Sequence, residues 1–219
     1  MKIVETQNTQ KSRVKKILDT LRPRYHNDPI EIHYQTPFQL VVGTILSAQC
    51  TDVRVNAVTA LFFDRFREAQ DFLKLSPEQL EVMIHSTGFY RNKAKNILGA
   101  ARMIYDQHAG QVPNSLQDLV QIPGFGRKTA NVVQQALYHK NEGVVVDTHV
   151  LRLSRRLGLT QQTTAVPVER DLMQITPQKN WHEISHFLIL HGRRVCPARQ
   201  PQCEQCQLQS LCPTGNAVV

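Results

Sequence analysis

The chain predicts an all-α fold. Apolar residues recur at three- and four-residue spacing along most of its 219 residues, the signature of helices with one buried face. Only Val144-Val145-Val146 reads as a strand, and three residues make no sheet. Four cysteines follow the last periodic segment and predict a loop-rich cap rather than another helix.

Pro37 opens the first strong segment, and Phe38 to Ala48 is apolar on nearly all sides, so it predicts a buried helix. Asp52 is then placed to cap a second helix from Val53 to about Phe66. Ser76 followed by Pro77 is a start signal, because Ser accepts a free first-turn N–H and Pro is tolerated at the first helical position. Asn92 to about His108 carries Ile97, Ala101 and Ile104 on one stripe, with Gly110 as its stop. Further helices are expected over 116–121, 128–139, 149–157, 168–175 and 181–191. Repeats and low-complexity tracts are absent from the sequence.

Lys plus Arg (26) minus Asp plus Glu (18) gives a net charge of +8. Such a surplus suits a polyanionic partner such as nucleic acid, although a basic enzyme without one has the same composition. No apolar stretch reaches the length of a membrane span, and the N-terminus lacks the apolar core of a secretory signal. The expectation is a soluble intracellular protein with reduced thiols, cytoplasmic or nucleoid-associated.

The cysteines stand at Cys196, Cys203, Cys206 and Cys212, a C-x6-C-x2-C-x5-C run. Four thiolates so close in sequence can close around one metal centre. Zinc ribbons and fingers show two short pairs separated by a longer arm, and disulfides belong to exported chains. One closely wrapped set of thiolates is better matched by an iron–sulfur cluster, whose ligands are all Cys. Zinc remains the rival on spacing alone.

A second informative stretch is Leu119-Val-Gln-Ile-Pro-Gly-Phe-Gly-Arg-Lys-Thr-Ala130. Its centre, Ile122 to Gly126, predicts a tight turn between helices, where Gly124 and Gly126 permit positive φ and close backbone approach. The helix that follows presents free N–H groups and a positive dipole end to a phosphate, reinforced by Arg127 and Lys128. Lys128 is either a phosphate contact on the surface or a nucleophile, since a positive dipole end favours its neutral amine. A nucleophilic amine needs a carboxylate to take its proton and to stabilise positive charge on the substrate. Asp147, nineteen residues on (147 − 128), is a candidate, but its position before Thr148 equally suits a helix N-cap.

Together these segments resemble the endonuclease III family, bifunctional DNA glycosylase/lyases of the helix-hairpin-helix superfamily. The resemblance runs from about Pro37 to Pro213. It rests on Leu46-Ser-Ala-Gln-Cys-Thr-Asp52, Gly88-Phe-Tyr90, Pro123-Gly-Phe-Gly-Arg-Lys-Thr-Ala-Asn-Val-Val133, Val146-Asp-Thr-His149, Leu188-Ile-Leu-His-Gly192 and the cysteine spacing.

The resemblance implies two α-helical domains with a DNA-binding cleft between them. A six-helix domain would span 30–141, and the N-terminal helix of 1–29 would pack with a cluster domain of 142–219. It makes Lys128 the Schiff-base lysine and Asp147 the catalytic aspartate. Gln49 would fill the space of an extruded nucleotide and Phe89 would be the apolar wedge. Ser47, Asp52 and His149 would line the base pocket, while Gly124, Gly126 and Arg127 would hold the backbone. Arg193, Arg194 and Arg199 would meet DNA near the cysteine run, and Cys196, Cys203, Cys206 and Cys212 would hold one [4Fe-4S] cluster. The implied partner is double-stranded DNA containing damaged bases or abasic sites, bound by a monomer without a membrane. Oxidised pyrimidines such as thymine glycol are the substrates the family implies.

The chain departs from the family at three points. Phe89 is bulkier than the Leu common at the wedge, Val120 stands where the best-known relative has an acidic residue, and Cys50 replaces a frequent Ala and reads as packing. Rival readings are a monofunctional mismatch or adenine glycosylase of the same superfamily, or a non-catalytic helix-hairpin-helix DNA-binding protein. Monofunctional enzymes usually lack the hairpin lysine, and adenine glycosylases carry a further C-terminal domain, whereas this sequence ends seven residues after Cys212 (219 − 212). A binding module would need neither Lys128 nor Asp147.

Overall fold

A computed structural model describes residues 6–28, 30–140 and 142–216. The expected domain limits at 29 and 141, and the outermost residues of the terminal domains, lie outside the described residues. The chain divides into two compact units, Pro29–Lys140 and a second formed by Met1–Asp28 with Asn141–Val219. Among the described residues none lies in a strand, and no helix is long and apolar enough to cross a membrane.

Helix α1 (Gln7–Tyr25) starts where the Thr6 side chain accepts the Thr9 amide, and it buries Val14, Ile17, Leu18, Leu21 and Tyr25 on one stripe. The middle unit opens with α2 (Pro37–Leu46), capped by Thr36 and buried from Phe38 to its last residue. The helix ends two residues before the predicted Ala48, because Ser47 to Gln49 turn away and Gln49 enters the left-handed region at φ 53°.

Helix α3 (Asp52–Thr59) differs more from expectation. Thr51, not Asp52, supplies the cap by accepting the Arg54 amide, and the helix stops at Thr59 rather than near Phe66. Past Thr59 the backbone tightens, with Leu61 donating to Val58 and Phe62 to Thr59, and the buried Gln39 amide donates to the carbonyls of Phe63 (2.6 Å) and Phe66 (3.2 Å). Phe62, Phe66 and Phe72 close into a cluster of rings. The single turn α4 (Ala69–Phe72), closed by a Glu68–Asp71 capping box, was not foreseen.

Helix α5 (Pro77–Ile84) begins as predicted, with Ser76 and Gln79 capping each other's backbone. A 3-10 turn, His85–Thr87, leads through Gly88 to α6 (Tyr90–Gln107), which buries Ile97, Ala101 and Ile104. Gly110 sits at φ 79° and returns its N–H to the Ile104 carbonyl, closing the helix. Helices α7 (Leu116–Leu119) and α8 (Arg127–Tyr138) then flank the glycine turn.

The second unit resumes with α9 (Thr148–Arg156), α10 (Ala165–Ile175) and α11 (Trp181–Arg194), and ends in two 3-10 turns and α12 (Pro213–Asn216). Its core joins the α1 stripe to Val150, Leu153, Leu172, Ile184, Phe187 and Leu188. Long-range polar bonds fix α1 there. Arg22 makes two bonds to Glu183 at 3.0 and 2.9 Å, and Arg13 donates to the carbonyls of Leu157 and Gly158 behind α9. Gly192 lets α11 lie against α9, since a Cβ there would stand 2.9 Å from the His149 Cβ. Gly192→Ala is therefore expected to lower stability by ~1–3 kcal/mol, the usual effect of overpacking, read as a lower midpoint in thermal denaturation. An unchanged midpoint would mean that α9 and α11 separate freely.

Candidate active site

In the middle unit α7 and α8 form a hairpin around Ile122–Gly126. Phe125 donates its amide to the Ile122 carbonyl at 2.9 Å. Gly124 holds φ 86°, and a Cβ there would lie 2.9 Å from the Asn96 side chain, so this position admits only glycine. Gly126 is the N-cap of α8 and offers no side-chain cap. A Cβ on it would meet nothing within 4 Å, so the space in front of the first-turn amides is open. Such amides, at the positive end of a helix dipole, bind anions. Arg127 and Lys128 occupy that first turn and are both exposed.

Asp52 lies near enough to Lys128 to feel its charge. Burial pushes the Asp52 carboxyl above its ordinary range, and the lysine pulls it back in part. Ser47 is half-buried and donates to the Thr44 carbonyl at 2.8 Å. Gln49 and Phe89 are exposed on two turns, Phe89 by 68%, with φ of 53° and 48°. A bulky residue is a genuine outlier in that region.

In the other unit Asp147 caps α9, its Oδ1 accepting the amides of His149 and Val150, both at 2.8 Å. The capping alternative raised by the sequence is thus correct, yet Oδ2 takes no hydrogen bond among the described residues and stays available for chemistry. The His149 Nδ1 lies 3.2 Å from Arg152, beside Gly192. Arg193, Arg194 and Arg199 are exposed near the cysteine run, and Arg194 donates to Asp28.

None of the cysteines forms a disulfide. Cys196, Cys203, Cys206 and Cys212 all line one cavity of about 100 Å³. N–H groups reach two of the sulfurs, and an imidazole nitrogen lies against a third. Arg156 donates to Cys196 Sγ at 3.0 Å, the Gly215 amide donates to Cys212 Sγ at 3.3 Å, and His191 Nε2 lies 3.2 Å from Cys206 Sγ. Burial pushes His191 down to about 4. The ring is therefore neutral near pH 7, and its other nitrogen meets the Tyr25 hydroxyl at 3.2 Å. Among the described residues no three His, Cys, Asp or Glu side chains are placed to hold a single metal ion. Four thiols around one cavity, met by N–H donors, suit a bulkier centre ligated only by thiolates.

Sequence reasoning missed three supporting cations. Arg156 also donates to the carbonyls of Pro197 and Ala198, and Arg152 to those of Gly192 and Cys196, so α9 organises the start of the cysteine loop. Their four-residue spacing on one helix face was the available signal. Lys93 is 3% exposed and donates to the carbonyls of Leu46 and Thr87, both at 2.8 Å. Its signal was a lysine four residues before Ile97 on an otherwise apolar stripe.

Residues 42–178 match the model of the HhH-GPD superfamily of base excision DNA repair proteins. The chain is 49% identical to endonuclease III of Synechocystis sp. over 209 residues, 95% of each chain. It is 42% identical to endonuclease III of Bacillus subtilis, over 91% of each. Its structure resembles that of endonuclease III in a trapped covalent intermediate with DNA, with a TM-score of 0.87 and 39% identity, covering 95% of this chain and 98% of that one. Likeness of this extent along the whole fold makes the chain a member of the HhH-GPD superfamily of base excision DNA repair proteins, within its endonuclease III family.

Proposed function

We propose that the protein removes oxidised pyrimidines from double-stranded DNA and cleaves the resulting abasic site by β-elimination through a lysine Schiff base. The observation that carries this reading is an exposed lysine, Lys128, in the first turn of α8, directly behind an uncapped glycine hairpin. The similar endonuclease III was captured as a covalent intermediate with DNA, which supports covalent chemistry here. In this reading the protein works as a monomer on intracellular DNA, cytoplasmic or nucleoid-associated.

A base within a duplex hides its C1′, so the nucleotide must leave the stack. Gln49 fills the vacated space by hydrogen bonding, and Phe89 stacks on the exposed neighbours. Ser47 and Asp52 contact the base once it is extruded. The amides at Gly124 and Gly126, with Arg127, hold a backbone phosphate, and Arg193 and Arg199 add phosphate contacts. The neutral Lys128 amine attacks C1′. The N-glycosidic bond breaks, the base departs with the bonding pair and gains a proton, and the amine loses one. Ring opening yields a protonated imine, which acidifies the C2′ hydrogen. Loss of that proton expels the 3′ phosphate, and water then hydrolyses the imine to free Lys128. Asp147 takes the amine proton and stabilises positive charge developing on the sugar.

The four cysteines would hold one [4Fe-4S] cluster, which when bound cross-links the loop of residues 196–212 and lends the reaction no electron. The thiol-lined cavity and the donors aimed at its sulfurs support that assignment.

K128Q is expected to lose both strand cleavage and the borohydride-trapped adduct on abasic duplex while still binding it. A wild-type rate of adduct formation would assign the chemistry to another amine. D147N should slow base release from a thymine glycol duplex by at least about a hundredfold, the scale of a positioned acid–base group. Its thermal midpoint should hold, because Asn retains the Oδ1 acceptor for both capping bonds. A lower midpoint with intact specific activity would leave Asp147 only its cap. The purified protein should be yellow-brown with about four irons per chain, and stoichiometric zinc without iron or acid-labile sulfide would overturn the cluster.

A further inference from the structure

Lys93 lies in the second turn of α6, and its side chain runs inward beneath two separate turns. Its ammonium meets the carbonyl of Leu46, the last residue of α2, and that of Thr87, the last residue of the 3-10 turn. Neither carbonyl receives a backbone amide among the described residues. Each precedes a turn that carries an exposed residue in the left-handed region, Gln49 after Leu46 and Phe89 after Thr87. Non-glycine residues persist there only when their surroundings over-determine the backbone. Methionine or leucine would fill the same slot in the core but would leave both carbonyls buried without partners.

We propose that Lys93 is a positioning residue that locks the Gln49 turn and the Phe89 turn into one register, so that the two probe a duplex as a unit. The inference rests on the reading of Gln49 and Phe89 as DNA-probing residues. The ammonium suits this task because its donors radiate from one nitrogen, and one atom can therefore serve carbonyls from two segments. Neither turn can shift without losing its own bond to the nitrogen that also holds the other. Lys93 itself is buried and meets no DNA.

The test compares affinities, by fluorescence anisotropy, for a duplex containing a tetrahydrofuran abasic analogue and for an undamaged duplex. Borohydride trapping on a single-stranded abasic oligonucleotide runs beside it, since that substrate has no base pair to open and reports only Lys128. K93M should lower the preference for the lesion duplex by about tenfold, the factor carried by one hydrogen bond to a charged group, while single-strand trapping is retained. Added to a Q49A/F89A background, K93M should cost no further preference, because its effect passes through those residues. K93R keeps the charge but spreads its donors over a longer planar head. It should also lower the preference, and it supplies the reading if K93M does not fold.

An unchanged preference in K93M or K93R, with Q49A/F89A impaired, would overturn the inference and leave the probing residues standing. So would a loss additive to that of Q49A/F89A, or an equal loss of single-strand trapping, which would mark Lys93 as a general folding residue. A normal preference in Q49A/F89A would overturn the probing assignment itself and the inference with it.

Discussion

A helix leaves its first four N–H groups and last four carbonyls without partners, and a chain built of short helices multiplies that problem. Here the solutions are of two kinds. Local side chains cap the starts, as Thr36, Thr51, Ser76, Ser115 and Asp147 do. Cations from distant segments take helix-end and loop carbonyls, as Arg13, Lys93, Arg152 and Arg156 do. The groups assigned to chemistry occupy the same places. Gln49 follows a helix, Asp52, Lys128 and Asp147 open helices, and Phe89 stands immediately before one. Helices α6, α8, α10 and α11 start without a side-chain cap, and at α8 the glycine also leaves the space in front of the amides open.

This arrangement explains what the sequence made legible. Start signals that depend on one or two residues were readable, and Ser76-Pro77, the glycine hairpin and the α6 stripe all stand as expected. Features that depend on a partner far along the chain were not. The turns that follow α3 are held by Gln39, more than twenty residues from the carbonyls it takes. Nothing local to residues 60–66 announces those bonds, so helical periodicity carried the prediction too far. The cap of α3 was misplaced by one residue because Thr51 and Asp52 are both good caps, and only backbone geometry separates them.

At the site, residue types with distinctive chemistry were legible and their supports were not. Lysine behind Gly-Phe-Gly, aspartate before a helix, and closely spaced cysteines each carry meaning in sequence. Arg152, Arg156 and Lys93 carry no comparable mark in sequence. Their roles follow from burial and from acceptors tens of residues away. His191 belongs with them, since its neutral ring links Tyr25 of α1 to a cysteine sulfur.

The partnership of α1 with α10 and α11 bears on how the molecule is made. The α1 stripe finds its core only in residues that follow position 143, so a growing chain presents the middle unit complete while α1 still lacks its cover. Domains generally fold as units in the order of synthesis, and long loops close slowly. The middle unit is then the first of the two to acquire a core, and α1, made before it, is among the last helices to dock. Until α11 appears, the apolar stripe of α1 is a surface for a chaperone to shield.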